Sequence, residues 1–328
     1  MRVFAPWTEE QVRGLQNWQS DDNVHPYVYN TPTGQVRLVP TPDGWVDGNG
    51  LAMQDWAHDF SLRWKRPGTP KLVRYDRDPQ GSGEVGIVVP TRDVHTEPFV
   101  DVVGPLSKLG DVIAVVSSGP GFRFGVSVNE GIKAALKDGY RRIGISNDDL
   151  RFPSLDRMRE MISHAKGEVG YTVPYVNGVR AGSGVSTNVA GWMYWEGMKN
   201  LAPGWAIQKL NRIRLLARIH SMPNPWIFTH PRKGYLNVQP LAFFQDNVLQ
   251  EDRFDEGLVN GMEDCELAYR LYRKRIFGKT DRRWTVNHLN HYSFRLNPEA
   301  LQSDEHNLAY LWRKYPSVGK TGIVRSPP

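Results

Sequence analysis

From residue 84 onward the chain alternates between short apolar runs and amphipathic stretches. EVGIVVP is a β-branched run closed by a proline, the pattern of a buried strand. TEPFVDVVGPLSKLG carries helical features, and DVIAVVSS predicts a second strand. In GVSVNEGIKAALKDG the residues Val128, Ile132, Ala135 and Leu136 share one helical face, and Gly139 closes the helix. RRIGIS predicts a third strand. Strand, helix, strand, helix, strand with short connections implies parallel pairing through helical crossovers, hence an α/β fold. Ligands of such sheets sit at the carboxyl ends of the strands.

Further along, YTVPYVNGVRAGSGVSTN is glycine-rich and loop-like, and its 177–188 stretch is a candidate lid. AIQKLNRIRLLARIH predicts a helix and WIFTH a strand. EDCELAYRLYRKR predicts a helix with Leu267, Ala268, Leu271 and Tyr272 on one stripe. DEHNLAYLWRKYP places Leu308, Leu311, Trp312 and Tyr315 at helical spacing, as core packing requires.

The first 80 residues follow a different rhythm. They hold Trp7, Trp18, Trp45, Trp56 and Trp64 among many turn formers. Thr8 suits the N-cap of a short helix reaching Trp18. TPTGQ and TPDGW predict hairpin turns, and KRPGTPKLVRYDRDPQGSG has the composition of a linker. The expected organisation is an accessory module with linker over 1–80 and a main domain over 81–328. The module's tryptophans offer faces for an acceptor or a cover for the main domain.

Composition narrows the class. At 328 residues and 40% hydrophobic, the chain suits one large α/β domain with an appendage. No apolar run approaches the roughly 20 residues that span a bilayer, and MRVFAPWTEEQ has no secretory apolar core. A cytoplasmic protein is expected. Cys265 is the single cysteine, which excludes an internal disulfide and a cysteine-based zinc site. Any metal would be held by carboxylates and histidines, pointing to Mn²⁺ or Mg²⁺. The net charge of +6 suits a diphosphate-bearing substrate or nucleic acid. However, the densest basic run, RLYRKRIFGKTDRR, lies at a helix end where the dipole favours cations.

Four segments carry candidate chemistry. Asn147-Asp148-Asp149 follows the third strand directly. Adjacent carboxylates there call for a cation or hydrogen-bond donors. The triplet also suits a turn, with Asp149 helping to cap a helix begun near Pro153. Glu263-Asp264 opens a helix, where the dipole favours acids; one of them is a candidate general base. His288 and His291, in NHLNHYS, are candidate metal or diphosphate contacts. Pro90, Thr91, Arg92 and Asp93 end the first strand, where loops meet a nucleotide.

Together these segments resemble glycosyltransferase family 2, over roughly residues 84–315. GIVVPTRD is similar to the family's opening strand and nucleotide loop. GVSVNEGIKAALKDGYRRIGISNDD resembles its run from an Asn-x-Gly helix, here Asn129 and Gly131, to the Asp-x-Asp metal motif. RFDEGLVNGMEDCELAYRL is similar to its FDE…ED…L.R segment, and NHLNHYS to its late histidine segment. The resemblance implies a GT-A type, Rossmann-like mixed sheet flanked by helices. It also implies a metal-dependent, inverting transfer of sugar from a nucleotide-sugar. In that scheme Asp149 is a metal ligand, with His291 and then His288 as further contacts. Asn147, Asp148, Asn129 and the 90–93 loop are on the donor side; Asp264 is the base and Glu263 supports it.

Two positions depart from the family. The second strand ends in Val-Val-Ser-Ser, where the family carries a base-reading Asp, and Asp111 stands at the wrong end to replace it. Asn147 takes the first place of the metal motif. The N-terminal HPY…LVP…DGW…QDWAHDF resembles a small zinc-ribbon-like segment of bacteriophage-encoded proteins, without its metal-binding cysteines. That origin implies a virion protein, a modified DNA base or a glycan as acceptor. Two other functions fit the same scaffold: a nucleotidyltransferase, and a non-catalytic sugar- or nucleic-acid-binding protein. The first would need a glycine-rich, basic phosphate loop after the first strand, which is absent.

Overall fold

The computed structural model of the chain describes residues 2–21, 26–31, 34–65, 68–119, 121–177, 233–234 and 238–289, with 306, 307, 310, 311, 314 and 315. The N-terminal module runs β1 (Arg2–Phe4), α1 (Glu9–Gln19), β2 (Val28–Thr31), β3 (Gly34–Arg37), β4 (Val39–Thr41), β5 (Gly44–Val46), β6 (Ala52–Gln54), β7 (Trp56–His58) and α2 (Asp59–Leu62). Thr8 caps α1 through a reciprocal box. Its side chain accepts from Gln11 N, while Gln11 Oε1 accepts from Thr8 N at 2.9 Å. The two predicted turns form the β2–β3 and β4–β5 hairpins. Trp45 is fully buried, stacked on Tyr27 and edge-on to Trp7. Trp7, Trp18 and Trp64 are buried as well, so four of the five tryptophans are core rather than open stacking faces.

The main domain continues with β8 (Lys71–Tyr75), β9 (Val85–Thr91), α3 (Glu97–Ser107), β10 (Asp111–Val116), α4 (Phe124–Lys137), β11 (Arg142–Ser146), β12 (Leu150–Arg151) and α5 (Leu155–Ser163). Next come β13 (Val169–Thr172), β14 (Tyr175–Asn177), β15 (Lys233–Gly234), β16 (Leu241–Gln245), α6 (Asp246–Glu251), α7 (Glu263–Arg273), β17 (Phe277–Lys279) and β18 (Thr285–His288). The described residues form a mixed eight-stranded sheet in the order β15-β17-β13-β16-β11-β9-β10-β8. β9, β10 and β11 pair in parallel, as the βαβαβ pattern requires, and β16 runs antiparallel to β11. The chain is thus mixed α/β.

Every residue of β9 is buried, because helices cover both faces of the sheet. On one face Val88, Ile113 and Val115 meet Val128, Ile132 and Ala135 of α4 and Leu267, Ala268 and Leu271 of α7. On the other, Ile87, Val89 and Val112 meet Phe99, Val102 and Leu106 of α3 and Met158 and Met161 of α5. Gly131 lets α4 approach: a Cβ there would stand 2.3 Å from Val88 Cγ1. Gly139 ends the helix with φ +81°.

Two local expectations are corrected. The tract expected as a linker carries β8, which joins the main sheet antiparallel to β10. Lys71–Tyr75 alternates too weakly in hydropathy to announce an edge strand. The cap of α5 is Ser154, which accepts from Arg157 N, rather than Asp149. The glycine-rich stretch beyond Asn177, the helix expected over 206–220 and the strand over 226–230 lie outside the described residues, as do Leu308, Trp312 and the Tyr272 side chain. Leu311 and Tyr315 are buried as expected, and the described residues among 306–314 are helical. No helix among the described residues is long and apolar enough to cross a membrane.

Candidate functional site

The three parallel strands finish on one edge of the sheet. Val116 pairs with Thr91, and Ile145 pairs with Val88, so Asn147 emerges beside the end of β9. Pro90 and Thr91 are buried there, while Arg92 and Asp93 are exposed. The loop is folded on itself: Thr91 Oγ1 donates to Asp93 O, Thr96 Oγ1 donates to the same oxygen at 2.9 Å, and Asp93 Oδ1 accepts from His95 N. Asp111 stands at the opposite end of β10, accepting from Arg77 and from Tyr140, and cannot serve this edge.

Past β11 the chain turns through Asn147, Asp148 and Asp149 into β12, which pairs with β18 so that Leu150 faces His288. Leu289 N donates to Asp149 O, extending that ladder by one bond. This pairing brings together side chains 139 positions apart in sequence. Asp149 is 1% exposed, and its Oδ1 lies 3.0 Å from His288 Nε2. Yet Oδ1 has no well-directed hydrogen-bond partner. Asn147 Nδ2 lies 3.2 Å from the same Nε2. A buried carboxylate oxygen without a hydrogen bond is costly, and a cation would relieve it. Ligands about 2.1 Å from one octahedral ion stand about 3.0 Å apart across a right angle, so the pair fits Mn²⁺ or Mg²⁺. Among the described residues no group of three or more such donors converges. His291 lies outside the described residues, and Asp148 is buried beside the pair.

The acid pair opens α7 beside the loop that leads from β10 into α4. Asn260, at φ +47°, holds it there: its Oδ1 accepts from Phe124 N at 2.7 Å and its Nδ2 donates to Phe122 O at 2.8 Å. Glu263 is 3% exposed, and its Oε1 has no hydrogen-bond partner. Burial pushes Glu263 up to about 8; the charge of Asp264 adds to the rise, against backbone N–H groups at its own residue, Gly261 and Asn260. Asp264 is only half-buried.

Asn129 has a different place from the one expected of a donor contact. It is buried under the 254–256 loop, accepting from Phe254 N at 3.0 Å and donating to Phe254 O and Glu256 Oε1. Its side chain is spent on shaping that loop. The remainder of the FDE…ED…L.R segment is also structural. Phe254 is core, and Arg270 pairs with Asp252 and Glu266, both buried.

Two residues of this region carry no motif. Arg123, 2% exposed, lies with its guanidinium 4.0 Å over the Trp64 ring, and Asn260 staples the loop around it. Their only signal in sequence is an Arg just ahead of a predicted helix and an Asn in a glycine-rich turn. The Asp149–His288 pair and the acid pair thus both stand at the carboxyl edge of the parallel strands, one past β11 and the other beside the start of α4. No family model and no curated protein matches the chain.

Proposed function

We propose that the protein is a metal-dependent glycosyltransferase, probing the carboxyl edge of its sheet for a nucleotide-sugar and passing the sugar to an acceptor hydroxyl with inversion. One observation carries this reading. A buried carboxylate oxygen of Asp149, without a hydrogen bond, faces His288 Nε2 at 3.0 Å beside the loop 90–93. Asp149 and His288 would hold Mn²⁺ or Mg²⁺, which supplies positive charge beside a departing diphosphate. Asp148 and Asn147 border the donor.

Adjacent acids whose surroundings push their proton affinities apart have separate roles. Glu263 keeps its proton at neutral pH and is closed off from solvent. Asp264, half-exposed on the same helix end, is the base. As the acceptor oxygen bonds to the anomeric carbon, the bond from that carbon to the diphosphate breaks. The hydroxyl proton passes to Asp264, and the nucleoside diphosphate leaves. The net charge of +6 and the resemblance to glycosyltransferase family 2 are compatible with this assignment.

The test is turnover of a panel of nucleotide-sugars with Mn²⁺, followed as nucleoside diphosphate release. Asp149→Ala and Asp264→Asn should each lower turnover by about 100-fold or more. Near wild-type turnover in both variants would remove the proposal, and release of diphosphate alone would indicate nucleotidyl transfer instead.

A further inference from the structure

The turn that leads into the acid pair is held from the C-terminal segment by one buried amide. Asn307 is 0% exposed, and three hydrogen bonds join its side chain to that turn. Its Oδ1 accepts from Val259 N at 2.7 Å, and its Nδ2 donates to Val259 O at 3.1 Å and to Gly261 O at 2.9 Å. One N–H and two C=O groups admit a single orientation of the amide and use both of its donor hydrogens. Aspartate has the same shape without the donors, and glutamine is one methylene too long.

The turn needs such a hold. Asn260 and Met262 both have left-handed backbone, at φ +47° and +73°. Residues with a Cβ adopt that conformation where their surroundings impose it. Asn260 spends its own side chain on the other side of the turn, on Phe122 O and Phe124 N. Val259 packs its side chain against Trp18 and Trp64 of the N-terminal module. The C-terminal segment also grips the loop before the turn. His306 Nε2 lies 3.1 Å from Gly257 O, and Tyr310 Oη donates to Asp255 Oδ1 at 3.0 Å. The Tyr310 ring covers Gly257, where a Cβ would stand 2.6 Å from Cζ. Lys314 Nζ pairs with both Asp255 and Glu266 of α7. Residues 306, 310 and 314 follow at helical spacing, so one helical face carries these contacts and Asn307 stands beside it.

We propose that Asn307 is the positioning residue of the acid pair: by locking the 259–261 turn it sets where Glu263 and Asp264 stand at the sheet edge. This rests on the assignment of those two acids as the acid pair of the transfer. Glu263 is the first residue of α7, two positions past Gly261, so a turn released from Asn307 swings the helix start and both carboxyls with it. A base misplaced by about 1 Å lowers the rate of the chemical step by up to about 100-fold. Donor binding at Asp149 and His288, on the other flank, is left in place.

The experiment compares Asn307→Ala with Leu311→Ala in the full-length protein. Leu311 belongs to the same segment but packs into the core, so its loss loosens the segment without removing a hydrogen bond to the turn. Both variants are read by the ¹³C carboxyl signals of Glu263 and Asp264, identified by their loss in Glu263→Gln and Asp264→Asn. Asn307→Ala should displace both signals, and Leu311→Ala should leave them at the wild-type positions. In donor turnover with Mn²⁺, Asn307→Ala should lower kcat by about tenfold or more, with the donor KM changed by less than about twofold. Leu311→Ala should keep kcat within about twofold of wild type where both variants are folded. Asn307→Asp, with the shape but not the donors, should behave like Asn307→Ala. Unmoved carboxyl signals in folded Asn307→Ala overturn the inference, as do displaced signals with unchanged kcat. Equal effects in Leu311→Ala overturn it as well, since they would mark lost stability alone. Should Asn307→Ala not fold, Asn307→Ser, which keeps a hydroxyl for one of the three partners, decides by the same readouts. A wild type that turns over no nucleotide-sugar removes the transferase reading, and the carboxyl signals then decide alone: displaced signals uphold the hold of Asn307 on the pair, and unmoved ones overturn it.

Discussion

Glu263 keeps its proton far above the ordinary carboxylate range because the folded chain strips its water and sets Asp264 beside it. The unfolded chain releases that proton in the ordinary range, so between there and about pH 8 the folded state binds more protons than the unfolded one. Stability must then fall as pH rises through this window. Thermal melts at pH 5 and pH 8 should show a clear loss for the wild type and a smaller one for Glu263→Gln, which has no proton to hold. Equal losses in both would mean that Glu263 is charged in the fold. At this scale the positions of acids at element ends were legible in the sequence. Asp149 and the 263–264 pair stood out as acids at a strand end and a helix start. It was silent on Arg123 and on the burial of Asn129, because both owe their places to partners far along the chain: Lys65 and Trp64 for the first, Phe254 and Glu256 for the second.

Among the elements, the parallel core was legible throughout. β9, β10 and β11 are short β-branched runs, and α4 presents Val128, Ile132 and Ala135 to them at helical spacing. Close packing of α4 depends on Gly131, so Gly131→Ala should force Val88 and Val115 apart and destabilise the protein by about 1–3 kcal/mol, measured by denaturant unfolding. A neutral Gly131→Ala would mean that α4 stands further from the sheet. β8 escaped notice because an edge strand needs only one buried face, and KLVRY sits among Pro and Gly. The pairing of β12 with β18 escaped it too. Two-residue and four-residue strands leave no periodicity to detect, yet they bring Asp149 to His288. The FDE…ED…L.R segment serves the fold. Burial alone would raise Glu266, but the hydrogen bonds and charge of Arg270, with Lys314, hold it below its ordinary range.

For the whole molecule, the module and the main domain meet through Trp18, Trp64, His306 and Arg123, so the tryptophan-rich start of the chain is built into the region of the acid pair. Its composition set it apart as a unit, while its docking depended on side-chain contacts that composition does not encode. The central claim concerns the opposite flank of the sheet edge, where Asp149 and His288 face each other. The most direct measurement is Mn²⁺ binding by calorimetry with a nucleoside diphosphate present, on wild type, Asp149→Ala and His288→Ala. Saturable binding by the wild type that is lost or weakened about tenfold or more in each variant is the predicted result. Equal binding by all three, or none by the wild type, would contradict the account.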